Sequence, residues 1–238
     1  MKTSFLLTLL FTFLISLNCF ADSSVEVYQQ SPKLKGYLCK PSGAGPFPAV
    51  IYNHGGLGQM VGGDPQGTCE ALAKAGFVGF SPMRRKTVPM KGHPKDVMAA
   101  LEFVKEQSFV NSKKIGMMGF SRGALLTYMV STRSSDLKAV VVMAPAPARG
   151  MLNKFLPKAS SVTAPTLVLV SENDTAANSR EGKDHVKLSE MVTSALQEAG
   201  KDVRLIIYPP YKGNGHELFY KVRDYWTDVK GFFGKHLK

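Results

Sequence analysis

The chain has 238 residues, of which 44% are hydrophobic and 20% are charged, and its formal net charge at pH 7 is +12. This length fits one large α/β domain or at most two small domains, and the apolar content is ordinary for a protein that buries a core. The basic residues are scattered and form no stripe interleaved with aromatic residues, which argues against nucleic acid as a partner. We therefore expect a solvated basic surface.

The first 21 residues have the pattern of an export signal. Lys2 precedes an apolar run at residues 5–17, and Cys19 and Ala21 are small residues at the two positions that an export peptidase reads. We predict cleavage after Ala21 and a periplasmic or secreted protein. The run of about 13 residues is shorter than the roughly 20 needed to span a bilayer, so we expect no stable membrane insertion after cleavage. A lipoprotein acylated at Cys19 is the alternative, although the three preceding residues match a lipobox poorly.

Two cysteines remain after this cleavage, Cys39 at the end of a predicted strand and Cys69 near the start of a predicted helix. An exported compartment permits a disulfide between them, and two buried free thiols fit the sequence equally well. No Cys-x-x-Cys pair or histidine-rich spacing indicates a structural metal. We expect neither a metal nor another cofactor.

Apolar runs and helical periodicities alternate along the rest of the chain. Six or more strand–helix units in alternation require a mostly parallel sheet with helices on both faces. We therefore predict one α/β domain over residues 22–238, in which right-handed crossovers place the carboxyl ends of the parallel strands on one edge. The predicted strands are residues 25–29, 35–40, 49–52, 77–81, 115–118, 137–143, 167–170 and 203–208, and the predicted helices are residues 66–75, 93–106, 124–130, 184–199 and 217–237, with a loop excursion at 144–163.

The loop after the strand at residues 49–52 begins with Asn, His and two glycines. Such glycines allow backbone amides to point toward a neighbouring site, so we expect the amide of Gly56 or Leu57 to contribute to an oxyanion hole. We expect the histidine of this loop, His54, to shape the loop rather than to transfer protons.

A basic cluster that includes Arg84 and Arg85 follows the strand at residues 77–81. Sites of α/β proteins lie beyond the carboxyl ends of strands, so these side chains are candidates for binding an anionic part of a substrate. A solvated loop is the simpler interpretation.

Residues 115–130 predict a buried strand, a very tight turn with Ser121 at its apex, and a helix. Gly119 and Gly123 stand two residues from the apex, where side chains would make the strand and the helix collide. The turn would hold the hydroxyl over a helix N-terminus, where the amide of Arg122 favours developing negative charge. A glycine-rich turn with an idle serine is the alternative. We expect the Arg122 side chain to pair with a surface acid rather than with a substrate carboxylate.

Two further candidates follow the ends of later strands. Asp174 follows the strand at residues 167–170, and His216 lies in a glycine-rich loop after the last strand. Both side chains would lie at the edge of the sheet that carries Ser121. Glu172 is an alternative to Asp174 as the acid. The remaining histidines are less suitable because they lie in or at the start of helices: His93, His185 and His236.

The order nucleophile, acid, histidine is that of α/β-hydrolases, and the chain after residue 30 resembles that superfamily. Within it, the chain is most similar to the dienelactone-hydrolase-like group. Enzymes that hydrolyse dienelactones typically carry cysteine as the nucleophile, whereas this chain has Ser121, which points to a general carboxylic ester hydrolase. The motifs that carry the resemblance are Asn53-His54-Gly55-Gly56, Gly119-Phe120-Ser121-Arg122-Gly123, Glu172-Asn173-Asp174 and Gly215-His216-Glu217-Leu218-Phe219.

These residue types suit acyl transfer. A serine hydroxyl is too weakly acidic to attack unaided at pH 7, so His216 would take its proton and return it to the leaving alcohol. Asp174 would hold the imidazole tautomer and stabilise the imidazolium. We therefore predict an exported, cofactor-free serine hydrolase that cleaves a small-molecule ester through an acyl-enzyme. The alternatives are a prolyl-oligopeptidase-type peptidase, an acyltransferase and a non-catalytic hydrolase-like binding protein; the sequence does not predict the oligomeric state.

Overall fold

The computed structural model describes residues 22–28, 34–56, 60–88, 90–179 and 182–238, with side chains described from residue 34 onward. The predicted signal peptide, residues 1–21, and the oxyanion candidate Leu57 lie outside these described residues.

Eight strands form one sheet in the order β1-β2-β4-β3-β5-β6-β7-β8. Strand β2 pairs antiparallel with both β1 and β4, and the remaining neighbours pair parallel. The central strands are buried on both faces, which explains why they read as continuous apolar runs. The strands are β1 (Asp22–Tyr28), β2 (Leu34–Lys40), β3 (Phe47–Asn53), β4 (Val78–Pro82), β5 (Val110–Phe120), β6 (Leu137–Met143), β7 (Thr166–Ser171) and β8 (Val203–Tyr208).

Helices cover both faces of the sheet, as predicted. They are α1 (Pro65–Lys74), α2 (His93–Lys105), α3 (Arg122–Ser131), α4 (Met151–Phe155), α5 (His185–Glu198) and α6 (Trp226–Leu237), with short 3₁₀ helices at Leu156–Ser161 and Gly215–Tyr220. One core cluster joins α2, α3 and α5 to the sheet, and a second joins α1 and α6 to its other face. Apolar residues at helical spacing, such as Val97 and Leu101 of α2, supply the buried stripes.

The prediction of a continuous closing helix over residues 217–237 is wrong. Residues 215–220 form a 3₁₀ turn, and α6 begins only at Trp226. Leu218 and Phe219 bury their side chains in the second core cluster, while the side chain of Asn214 accepts a hydrogen bond from the amide of His216. The segment therefore packs against the core as a separate turn before the helix starts.

A disulfide joins Cys39 of β2 to Cys69 of α1. The sequence left this pairing open between a bridge and two free thiols. Both residues are fully buried, so the bridge ties the first helix to the antiparallel side of the sheet.

Among the helices of the described residues, none is both long enough and apolar enough to cross a membrane.

Candidate active site

Ser121 stands at the junction between the end of β5 and the start of α3. Its φ of 54° and ψ of −115° place it in a strained conformation for a residue with a side chain. The amide of Ser121 donates to the carbonyl of Met143 at 2.9 Å, and the carbonyl of Ser121 accepts from the amides of Leu125 and Ala146. These bonds to β6 and α3 hold the strained turn, and the predicted strand–turn–helix unit is confirmed.

The two glycines of the turn are required by close backbone approach. A β-carbon on Gly119 would overlap the carbonyl of Gly123 and lie 2.6 Å from the hydroxyl oxygen of Thr127. A β-carbon on Gly123 would overlap the carbonyl oxygen of Asn53 at the end of β3. Side chains at either position would therefore separate β5, α3 and the loop after β3.

Asp174 and His216 meet at the same edge of the sheet. The Nδ1 atom of His216 lies 2.7 Å from Oδ2 of Asp174, whose residue is 1% exposed. Because an ionised carboxylate only accepts, Nδ1 carries the proton and Nε2 presents a lone pair. Burial lowers the pKa of His216 below its ordinary value, although the hydrogen bond to Asp174 opposes this shift. The imidazole is therefore neutral near pH 7 and able to accept a proton.

The ring of Phe120 connects the serine turn to the histidine loop. Its centroid lies 4.6 Å from that of His216 and 5.8 Å from that of Tyr220. No hydrogen bond joins the Ser121 hydroxyl to His216 among the described residues, and such bonds often tighten only when substrate is bound. The ring contacts thus bring the base to the residue next to the candidate nucleophile.

The loop after β3 packs against the same turn. A β-carbon on Gly55 would lie 2.9 Å from the ring of Phe120, and Gly56 adopts a φ of +92°. Arg84 donates to the carbonyls of His54 and Gly55, which fixes the loop beside Ser121. The predicted oxyanion donor Gly56 therefore lies on a segment in contact with the serine turn, while Leu57 is outside the described residues.

A match over most of the sequence identifies the family of this protein. A model of the dienelactone hydrolase family matches residues 34–236. This protein belongs to the dienelactone hydrolase family.

Other known proteins are similar to this family member over most of its length. A protein of Aquifex aeolicus (strain VF5), provisionally named a carboxymethylenebutenolidase, is 26% identical over 243 residues, which cover 90% of this chain and 98% of that protein. Acylaminoacyl peptidase of Pyrococcus horikoshii has a TM-score of 0.72 at 18% identity and covers 92% of this chain, but the match spans 42% of the peptidase. The metagenomic carboxylesterase EstE1 has a TM-score of 0.70 at 17% identity, covering 92% and 90% of the two chains. These structures share the α/β-hydrolase fold.

A second histidine, His185, contacts the candidate acid of this dienelactone hydrolase family member. Its Nδ1 lies 2.8 Å from Oδ1 of Asp174, and its ring stacks on that of His216 with centroids 4.1 Å apart. Burial would raise the pKa of Asp174, but the hydrogen bonds from the two histidines outweigh burial and lower it. From the sequence alone, His185 is a less suitable candidate because it lies in a predicted helix. The capping residue Asp184 was the available signal, because it places His185 at the first position of α5.

Among the described residues, Asp174, His185 and His216 form a group that could hold a metal ion. Their donor atoms lie within 4.8 Å of one another. The two imidazole N–H groups already occupy one carboxylate oxygen each, so hydrogen bonding accounts for the cluster.

His54 is buried beside Arg84, and its Nδ1 lies 2.7 Å from the carbonyl oxygen of Gly55. Burial, with a contribution from the charge of Arg84, lowers the pKa of His54 to about 3. A neutral ring that donates to its own loop agrees with the expected loop-shaping role.

Both basic candidates after β4 have partners inside the protein. Arg84 holds the loop after β3, as described above, and Arg85 forms an ion pair with the buried carboxylate of Asp96 at the start of α2, with its Nε 2.8 Å from Oδ1. Substrate binding by Arg84 or Arg85 stays a prediction.

The expected pairing of Arg122 with a surface acid is not found among the described residues. The residue is 4% exposed, it forms no ion pair with a described residue, and its Nε has no hydrogen-bond partner among them. Burial lowers its pKa. Burial also lowers the pKa of Lys183, and the charge of Arg122 adds to this effect. A buried positive charge thus lies next to Ser121, with no acidic partner in the part of the chain that the structure describes.

Proposed function

We propose that this protein is an exported serine hydrolase that cleaves a small carboxylic ester through an acyl-enzyme intermediate. The observation that carries the proposal is the Asp174–His216 hydrogen bond beside the strained turn of Ser121. The family membership supports hydrolysis, and the serine in the turn supports a serine rather than a cysteine nucleophile.

In the proposed mechanism the hydroxyl of Ser121 attacks the ester carbonyl while Nε2 of His216 takes its proton. The imidazolium then protonates the leaving alcohol, and water repeats the sequence to release the acid. Asp174 holds the proton on Nδ1 and stabilises the imidazolium. The amide of Arg122 and an amide of Gly56 or Leu57 bind the oxyanion, and losing one such donor typically costs about 3 kcal/mol of barrier.

The environment of Arg122 narrows the class of ester that we propose as the substrate. A buried guanidinium without a carboxylate is costly. Arg122 is buried, pairs with no carboxylate of the described residues, and directly follows the candidate nucleophile. An ester with a negatively charged group near the scissile bond would supply the missing partner. We therefore propose an anionic small ester as the substrate, with no cofactor in the reaction.

Export is proposed on two features. The N-terminal segment has the pattern of a signal peptide, and the Cys39–Cys69 disulfide suits an oxidising compartment. Cell fractionation of the tagged full-length chain tests this: the processed chain is expected outside the cytoplasm, and an unprocessed cytoplasmic chain contradicts export.

Peptide hydrolysis is the second candidate function, supported by the fold shared with the acylaminoacyl peptidase.

One experiment separates the candidate functions. The purified protein is treated with a fluorophosphonate probe, and turnover is measured on p-nitrophenyl esters of increasing chain length and on blocked peptide anilides. We expect labelling at Ser121, loss of labelling in Ser121→Ala, strong reduction in His216→Ala, and faster ester than anilide turnover. Faster anilide turnover favours the peptidase. Alcohol trapping of the acyl group in preference to water favours an acyltransferase. A folded protein without labelling favours a binding protein.

A further inference from the structure

We propose that His185 is a positioning residue of this active site, which acts on the base His216 through the carboxylate that both imidazoles share. The inference rests on the proposed function, in which His216 takes the proton of Ser121. His185 itself would not touch the substrate or the reacting atoms.

The first support is that residue 185 holds Asp174 through both side chain and backbone. Its Nδ1 donates to Oδ1 at 2.8 Å, and its amide donates to the carbonyl of Asp174 at 2.9 Å. The other carboxylate oxygen, Oδ2, accepts a hydrogen bond from Nδ1 of His216. Because each oxygen accepts from a different ring, the carboxylate cannot rotate without breaking one of these bonds.

The second support is the fixed tautomer of His185. With the proton on Nδ1, the Nε2 atom carries a lone pair. This atom is buried and has no hydrogen-bond partner among the described residues. His185 is 4% exposed. A proton on Nε2 would be desolvated without an acceptor, so the hydrogen bond to Asp174 fixes the Nδ1–H tautomer.

The third support is the stack itself. The rings of His185 and His216 lie 4.1 Å apart with an interplanar angle of 27°, and Phe120 contacts the His216 ring at 4.6 Å. Packing and the Asp174 bond together determine where Nε2 of His216 points. His185 therefore contributes to both the direction and the basicity of the base.

Loss of His185 has a defined electrostatic consequence. The titratable groups that act on His216 are Asp174, His185 and Lys183. Without His185, Asp174 loses one of its two imidazole donors, and its carboxylate attracts the proton of His216 more strongly. The acidic limb of the pH profile of kcat/KM would then move to higher pH.

A matched pair of variants tests the proposal. His185→Phe keeps an aromatic ring for stacking but removes the donor, whereas His185→Asn keeps a donor near Oδ1 but removes the ring. The control is Ser189→Ala, one helical turn further along α5. Ser189 is also buried, and its hydroxyl has no partner among the described residues. Each variant is titrated with a fluorophosphonate so that kcat refers to active molecules.

We expect His185→Phe to lower kcat by about 10- to 100-fold, the usual loss for a residue that orients an active group, with KM changed by less than about 3-fold. The acidic limb should move upward in His185→Phe, His185→Asn should recover most of the lost kcat, and Ser189→Ala should match the original protein. A purely structural role would lower the active fraction but leave kcat and the limb unchanged.

If folded His185→Phe has the same kcat and the same pH profile as the unaltered protein, the inference is overturned, while the proposed function stays intact. A wild-type protein that neither labels at Ser121 nor cleaves esters overturns both. If His185→Phe does not fold, nitrogen NMR of the imidazoles in the unaltered protein decides: two Nδ1–H tautomers at the shared carboxylate support the proposal, and an Nε2–H tautomer of His185 overturns it.

Discussion

The carbonyl oxygen of Asn53 occupies the space that a side chain at residue 123 would need. A β-carbon built on Gly123 would overlap this oxygen, so the end of β3 and the start of α3 are in direct backbone contact. The side chain of Asn53 adds a second link, because its amide donates to the hydroxyl of Thr127 at 2.9 Å. The loop that carries Gly56 is thereby attached to the helix that follows Ser121.

This contact makes Gly123→Ala both destabilising and harmful to activity. The added methyl group must push the Asn53 backbone or α3 aside, and such overpacking typically costs about 1–3 kcal/mol. Because the displaced backbone leads into the oxyanion loop, kcat should also fall. Urea unfolding and ester turnover measure the two effects.

Gly234→Ala is the matched control for this change. A β-carbon there would meet no atom within 4 Å, and replacing glycine within a helix such as α6 should raise the free energy of unfolding by about 0.5–1 kcal/mol. Equal effects of the two substitutions would contradict the argument from backbone contact.

The assignment of the acid to Asp174 rather than Glu172 gives a second prediction. Asp174 is buried and bonded to His216, whereas Glu172 is exposed. Replacing Asp174 by Asn removes the charge that stabilises the imidazolium and favours the wrong tautomer, so Asp174→Asn should lower kcat by about 10⁴-fold. Glu172→Gln should leave kcat within about 2-fold. The reverse ranking of the two variants on a p-nitrophenyl ester would reassign the acid.

The parts of the site that the sequence predicted are those encoded locally. Gly119, Ser121 and Gly123 lie within five residues, and their spacing has a direct steric cause. Asp174 and His216 were predictable because a parallel sheet gathers the ends of its strands at one edge. In each case the inference needed only the identity of an element and the residue that follows it.

The parts that the sequence missed depend on paths between elements. His185 reaches Asp174 across a loop whose course no periodicity specifies, so its place in a helix hid its contact. Residues 217–225 continue the apolar spacing of the last helix, yet burial of Phe219 in the second core cluster interrupts that helix. The orientation of Arg122 likewise depends on the tight turn before it, which directs the side chain inward rather than to a surface acid.

Two buried histidines predict a loss of stability in mild acid. Burial lowers the pKa of His54 to about 3 and that of His93 to about 4, and unfolding returns both toward the ordinary value of about 6.5. Below this value the unfolded chain binds more protons than the folded chain, so the free energy of unfolding falls as the pH decreases from 7 toward 4. Each histidine contributes at most about 1.4 kcal/mol per pH unit.

Urea unfolding at pH 7, 6 and 5 measures this slope. His93→Gln removes one of the two groups, so its free energy of unfolding should depend less steeply on pH than that of the unaltered protein. Identical slopes in the two proteins would show that His93 binds as many protons in the folded state as in the unfolded state, contrary to the lowering of its pKa by burial.

The buried charge of Arg122 gives a prediction in which stability and activity move in opposite directions. Arg122→Met replaces a buried guanidinium, which forms no ion pair among the described residues, with an apolar side chain of similar length, so the free energy of unfolding should rise. The backbone amide that serves the proposed oxyanion hole is kept. On an ester with a carboxylate near the scissile bond, loss of a charged hydrogen bond worth about 1.5–3 kcal/mol should lower kcat/KM by about 10- to 100-fold.

A neutral ester of the same size tests the specificity of this effect, because its kcat/KM should change by less than about 3-fold in Arg122→Met. The control is Arg204→Met, which removes the same charge from an exposed position on β8 and should spare both substrates. Equal losses on the anionic and neutral esters would assign Arg122 to the shape of the turn. Such a result would remove the argument for an anionic substrate while leaving the serine mechanism in place.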